Sequence, residues 1–192
     1  MKPTPDVLFT KEQIDRRIAE LGREVAQAFT GTEIAVIGLM KGCVVFMADL
    51  IRAIPLETTC HFLRVASHRD QGMGAMRTDI VYSTEIPYEG RDILLLDSII
   101  DTGITLNFLL DHIREREPRT LKVCALIDKP GDRKIDVNPD FAAFTLREPL
   151  DRFIVGYGLD HLENYRGLPY LGSIPRPPVA AEGRKPTLSP GS

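Results

Sequence analysis

At 192 residues the chain is long enough for one domain with a sizeable core, and 43% hydrophobic with 27% charged residues is an ordinary soluble, globular make-up. A net charge of −3 gives no reason to expect nucleic acid or an anionic membrane as a partner. No apolar run approaches a membrane span, and the opening Met-Lys-Pro-Thr-Pro-Asp lacks the apolar core of a signal peptide. Cys43, Cys60 and Cys124 are widely separated and odd in number, which argues against a disulfide framework or zinc knuckle and for a reducing cytoplasm.

In chain order, Thr10 followed by Gln13 has the spacing of a capping box. Ile14, Ile18, Leu21, Val25 and Phe29 then share one face of a helix that ends near Gly31. Residues 34–39 read as the first buried strand and run into Met40, Lys41 and Gly42. Val44, Val45, Met47, Leu50 and Ile51 predict a second helix closing before Pro55. Lys41 thus stands between a strand end and a helix start, where a cation can meet an anion bound at the helix N-terminus; otherwise it is a solvated lysine.

Residues 61–67 predict a further strand. Residues 68–79 have no period, two glycines and several charges, the pattern of a flexible hairpin tip whose returning arm is residues 80–82. After a turn at residues 87–90, the four apolar residues Ile93, Leu94, Leu95 and Leu96 read as a short strand buried on both faces. The polar cluster 101–105 carries a glycine and two hydroxyls, and Leu106, Phe108, Leu109, Leu110 and Ile113 mark a helix ending before Pro118. Strand, small turn and helix in that order make a phosphate seat, with Gly103 letting the backbone come close. Residues 121–127 predict a parallel strand after a right-handed crossover, and 141–146 and 153–160 are the last strand-like runs. The alternation indicates an α/β sheet. A single domain over 1–174 precedes a Pro- and Gly-rich tail, 175–192, that cannot bury enough apolar surface to order itself.

Residues 97–105 resemble the phosphoribosyl-diphosphate (PRPP) signature of type I phosphoribosyltransferases: two acidic residues, two apolar ones, then Asp-Thr-Gly-x-Thr. Ser98 stands where the second acid is usual. Residues 39–42 are similar to the pyrophosphate-holding turn of the hypoxanthine-guanine branch, often built with a non-proline cis peptide. Residues 128–130 and 153–160 resemble that branch's purine-side motifs, and Arg166 matches an arginine that contacts pyrophosphate. These motifs fall in family order across residues 8–174. The resemblance implies the type I phosphoribosyltransferase fold: an α/β architecture with a twisted, mainly parallel sheet flanked by helices. A small hood built from the terminal segments and a mobile hairpin lid, beginning at Ser67 and His68 where the family has Ser-Tyr, complete it.

It also implies an enzyme of purine salvage, which moves the phosphoribosyl group from PRPP to hypoxanthine and/or guanine with Mg²⁺ and releases pyrophosphate. Asp101 then takes the role of general base. Asp97 and Ser98 hold the ribose hydroxyls, while Thr102, Gly103, Ile104 and Thr105 seat the 5′-phosphate. Met40, Lys41, Gly42 and Arg166 hold pyrophosphate. Lys129 donates to the purine O6, Phe153 stacks on the base and the Ile154 backbone meets its edge. Asp97 and Asp160 serve magnesium. The family suggests homo-dimers or homo-tetramers. Two alternatives stay open: a xanthine-preferring enzyme, and a PRPP- or nucleotide-binding regulator with weak or no turnover. A regulator usually adds a DNA-binding module or a basic surface, and the net acidic charge weighs against it.

Overall fold

A computed structural model describes residues 2–69, 76–82, 86–147 and 150–176. The capping box forms as expected: Thr10 N–H donates to Gln13 Oε1 at 2.8 Å and Gln13 N–H to Thr10 Oγ1 at 3.3 Å. It starts helix α1, Lys11–Gln27, whose Ile14, Ile18, Leu21 and Val25 are buried. Strand β2, Glu33–Leu39, is followed by α2, Val44–Ala53; then come β3, Glu57–Arg69, and β4, Met76–Tyr82. Strand β5, Asp92–Ile100, leads to α3, Ile104–Arg114, and β6, Thr120–Asp128, leads to β7, Phe141–Thr145.

The large sheet has the order β4-β3-β2-β5-β6-β7, numbering β1 as Asp6–Phe9 near the N-terminus. Five of its strands are parallel, and β4 lies antiparallel on the edge strand β3. Ile93, Leu94, Leu95 and Leu96 are all fully buried, so burial of each contributes about 1.5–3 kcal/mol. Gly22 lets α1 sit directly on α2, because a Cβ there would lie 2.4 Å from the Ala53 carbonyl oxygen. No helix among the described residues is long and apolar enough to cross a membrane.

The topology positions the site. The crossover through α2 leads from β2 outward to β3, and the crossover through α3 leads from β5 outward the other way, to β6. With right-handed crossovers, the two helices cover opposite faces and the winding reverses between the neighbours β2 and β5. A crevice opens at such a switch point, outside the C-terminal ends of those strands. The turns there are residues 40–43 and 101–103.

A second sheet, β1-β9-β8, is built from β1, β8 (Arg152–Val155) and β9 (Leu171–Pro175). It joins the two ends of the domain as a hood. Neither β1 nor β9 is announced by alternation, since their pairing is with each other across the whole chain.

Several boundaries differ from expectation, among them the end of α1 at Gln27 rather than near Gly31 and the start of β3 at Glu57 rather than His61. Strand β5 continues past the apolar run to Ile100, so Asp97 and Ser98 lie in the strand itself, with Asp97 and Ile99 paired to β6. Residues 68–69 and 76–79, expected in an unpatterned tip, belong to β3 and β4; their backbones pair, His68 with Arg77 and Arg69 with Met76. Backbone pairing needs no hydrophobic period. The expected strand 153–160 stops at Val155, because Gly156, Tyr157 and Gly158 take φ of 93°, 48° and 96°. Residues 70–75 of the expected lid and 177–192 of the expected tail lie outside the described residues. Strand β9 runs to Pro175, across the expected start of that tail.

Candidate active site

The turn after β5 has the geometry of a helix N-terminus open to an anion. Gly103, at φ 80°, is the N-cap of α3 and offers no side chain of its own to the helix start. The first N–H groups of a helix have no intrahelical acceptor and, with the helix dipole, favour a negative group. A Cβ on Gly103 would fall 2.6 Å from Val137 Cγ1, so glycine alone fits that packing. Asp101 is exposed, and its carboxylate accepts the Thr102 N–H at 2.5 Å. Asp97 is half-buried. Burial pushes its carboxyl up to about 6, with nearby Asp101 adding to the rise and the Ser98 and Ile99 N–H groups opposing it.

The turn after β2 contains a cis Met40–Lys41 peptide, as the resemblance implied. Gly42 is wedged between two elements: a Cβ on it would sit 2.6 Å from Ser98 Oγ. From the other side, a Cβ on Gly158 would meet the Gly42 carbonyl oxygen at 2.6 Å. Two facing glycines therefore let the turn slide between β5 and residues 156–159. Ser98, the residue where an acid is usual, is the side chain that lies on Gly42.

Above this turn runs a chain of charges. Lys41 Nζ is 3.1 Å from Glu163 Oε1, and Glu163 Oε2 is 3.4 Å from Arg166 Nη2. Arg166 Nη2 also pairs with Asp160 Oδ1 at 2.7 Å, and its Nη1 donates to the Gly158 carbonyl at 2.8 Å. Arg166 Nε is buried without a hydrogen-bond partner among the described residues. Asp160 Oδ2 accepts the Glu163 N–H at 2.7 Å. Lys41, and after it Arg166, holds the Glu163 carboxyl below the usual carboxylate range.

On the third side, Lys129 is buried and paired with Asp132, rather than extended into solvent. The Phe153 ring lies 4.7 Å from the His161 ring and 5.4 Å from the Arg176 guanidinium. Tyr157 ties the 156–159 turn to α2, its hydroxyl donating to Asp49 Oδ2 at 2.6 Å. Burial, and then Asp49, pushes that phenol well above its ordinary value.

Two cavities meet here. One of about 360 Å³ is lined by Lys41, Gly42, Ser98, Asp101, Lys129, Phe153, Ile154, Asp160 and Arg166, with Ile99, Leu159, Arg152 and Arg176. A smaller one of about 160 Å³ is lined by Asp97, Asp101, Gly103 and Thr105, together with Leu39, Ile99, Ile100 and Leu106. Asp101 and Ile99 line both. Asp97 and Asp160 therefore stand in different cavities. Among the expected site residues, Met40, Thr102 and Ile104 form no part of either wall. Ser67 and His68 lie on β3, with side chains outside the described residues.

Glu163, Arg152, Arg176 and Arg133 were not singled out from the sequence. Each is a charged residue that, without a motif around it, reads as solvated. The signal available for Glu163 was its place between Asp160 and Arg166; for the arginines there was none.

Residues 7–162 match the model of the phosphoribosyl transferase domain family. The hypoxanthine-guanine phosphoribosyltransferase of Bacillus subtilis is 40% identical over 168 residues, covering 88% of this chain and 92% of that one. The hypoxanthine phosphoribosyltransferase of Escherichia coli K12 is 36% identical over 177 residues, covering 91% and 97%. Among solved structures, a hypoxanthine-guanine phosphoribosyltransferase from Bacillus anthracis superposes with a TM-score of 0.79 at 36% identity, covering 90% of this chain and 99% of that chain.

Proposed function

The chain belongs to the phosphoribosyl transferase family, and on that premise we propose that it transfers the phosphoribosyl group of PRPP to a 6-oxopurine, hypoxanthine or guanine. The observation that carries the reading is Asp101 at the junction of the two cavities. On one side are the phosphate seat at Gly103 and Thr105 and the ribose-side Asp97. On the other are Lys129, Phe153 and Ile154 for the base, with Lys41, Gly42 and Arg166 for the diphosphate.

The chemistry asks little of the protein beyond placement and charge. As the purine nitrogen bonds to the anomeric carbon, the bond from that carbon to the diphosphate oxygen breaks, and its electron pair leaves with pyrophosphate. The base must shed a proton in the same event, and Asp101 takes it. Lys41 and Arg166 offset the charge gathering on the leaving group, which is the usual largest electrostatic term in such a site. Lys129 donates to O6, a charge-assisted bond from a buried ammonium. Phe153 gives the base an aromatic face. The facing glycines at 42 and 158 keep the diphosphate turn and the base turn in fixed register.

Magnesium fits Asp97: a half-buried carboxylate that burial already disfavours as an anion gains from a hard cation, and Mg²⁺ is commonly held by one or two carboxylates plus substrate phosphates. Asp160, with both oxygens engaged by Arg166 and the Glu163 N–H, stands in the other cavity and would serve a magnesium ion there through remaining lone pairs or a bound water. When bound, the ion supplies charge neutralisation on PRPP and its leaving group. The same reading takes the chain through Pro175 as one domain, and the protein as a cytoplasmic homo-dimer or homo-tetramer.

The test is turnover with PRPP, magnesium and each of hypoxanthine, guanine and xanthine, followed by ultraviolet absorbance. Hypoxanthine or guanine should be turned over best. Asp101→Asn should keep the fold and PRPP binding while lowering turnover by roughly 10²- to 10⁴-fold. Near-normal turnover by that variant would remove Asp101 from the mechanism, and no turnover of any base by the unaltered protein would overturn the reading.

A further inference from the structure

The Asp101 carboxylate is oriented by the Thr102 N–H, at 2.5 Å. That N–H belongs to the same rigid peptide unit as the Asp101 carbonyl, so whatever holds the carbonyl also aims the carboxylate. The holder is Arg133, whose Nη1 donates to the Asp101 carbonyl at 2.5 Å. The same nitrogen donates to the Ile100 carbonyl at 2.8 Å, while Nε donates to the Val137 carbonyl at 2.8 Å and Nη2 to Asp128 Oδ1. The Arg133 and Asp128 side chains are 11% and 12% exposed, so their pairing competes little with water, while the bond to the Asp101 carbonyl is at the exposed end of the set.

The rest of the loop wraps the same turn. Lys134 and Ile135 N–H groups both donate to the Thr102 carbonyl, at 2.9 and 3.2 Å, and Val137 fills the space where a side chain on Gly103 would stand. The Ile100 carbonyl that receives Arg133 also receives the Lys129 N–H at 2.9 Å. One guanidinium therefore ties the end of β5, which carries Asp101, to the end of β6, which carries Lys129.

We propose that Arg133 is a positioning residue for phosphoribosyl transfer, holding the Asp101–Thr102 peptide plane so that the Asp101 carboxylate points at the base. The proposal rests on the reading of Asp101 as general base. Only a planar fork with several fixed donors serves three carbonyls and a carboxylate at once. A lysine keeps the charge beside Asp128 but brings a single flexible point charge.

The test is a double-mutant cycle of Arg133→Lys and Asp101→Asn, with melting temperature, kcat, KM for PRPP and KM for hypoxanthine measured on all four proteins. Arg133→Lys should lower kcat roughly 10- to 100-fold, the usual consequence of misplacing a reacting group by about 1 Å. Its KM for PRPP should move by less than about threefold, and its melting temperature by a few degrees. In the Asp101→Asn background the same change should lower kcat by less than about threefold, because a base that is already absent cannot be misaimed. If the lysine variant fails to fold, Arg133→Gln with Asp128→Asn removes both charges together and leaves neither buried alone; the same non-additivity is expected. A wild-type kcat in Arg133→Lys beside a crippled Asp101→Asn overturns the proposal alone, as does an equal fractional loss in both backgrounds. Normal turnover in Asp101→Asn overturns the reading beneath it, and the proposal with it.

Discussion

Two ion-pair clusters differ mainly in depth: one lies behind the site as its floor and lines neither cavity, and the other lies at the rim of the larger cavity. At the floor, Arg133 and Asp128 are 11% and 12% exposed, and the guanidinium is further committed to three carbonyls. At the rim, Lys41 and Glu163 are 54% and 65% exposed. A desolvated pair with its remaining donors satisfied behaves as part of the framework, because removing one partner strands a buried charge. An exposed pair is weak and exchangeable, since water and salt already compete for both ends. The floor can thus hold a reacting group still, while the rim can trade Glu163 for an incoming diphosphate. Glu163 bridges Lys41 and Arg166, the two cations that would meet that anion.

The comparison predicts its largest effect at the floor. Asp128→Ala should destabilise the protein by roughly 3–5 kcal/mol, read from denaturant unfolding, because the Arg133 charge is left buried without its counter-charge. A loss below about 1 kcal/mol would mean that the floor pair is no more structural than a surface pair.

A smaller effect comes from Asp97, which lines the smaller cavity. Its folded pKa, about 6, lies above the ordinary 3.8, so the folded state holds the proton more tightly than the unfolded one. The contribution of this group to stability is fully present below about pH 3.8 and is lost as the pH rises through about 6. In magnesium-free buffer, Asp97→Asn should therefore be more stable than the unaltered protein by roughly 2–3 kcal/mol at pH 7.5, and the two should converge near pH 4. A stability difference that stayed constant across that range would show that burial does not set the Asp97 charge.

The smallest effect is at the rim. Glu163→Gln should change stability by less than about 1 kcal/mol and tighten pyrophosphate binding by up to about fivefold, since the ligand no longer displaces a competing carboxylate. Titration calorimetry with pyrophosphate and magnesium measures it. Weaker binding in the variant would make Glu163 a support for the two cations rather than a competitor.

What the sequence determined by itself was local. The capping box at Thr10, the buried run from Ile93 to Leu96 and the glycine-bearing turn before α3 follow from neighbours within a few residues, where periodicity and turn chemistry are decisive. The resemblance of the chain's motifs, in order, to those of the family marked Lys41, Asp101, Lys129, Phe153 and Arg166, which now line one cavity. Long-range pairing was another matter. Strand β1 finds β9 from the far end of the domain, and β5 extends through polar Asp97 and Ser98 because β6 pairs with it there. Arg133 looks like a solvated charge in the sequence, and only packing decides otherwise. Whether a charge is framework or exchangeable depends on how much water it retains, and that is set by which distant strands and turns close over it.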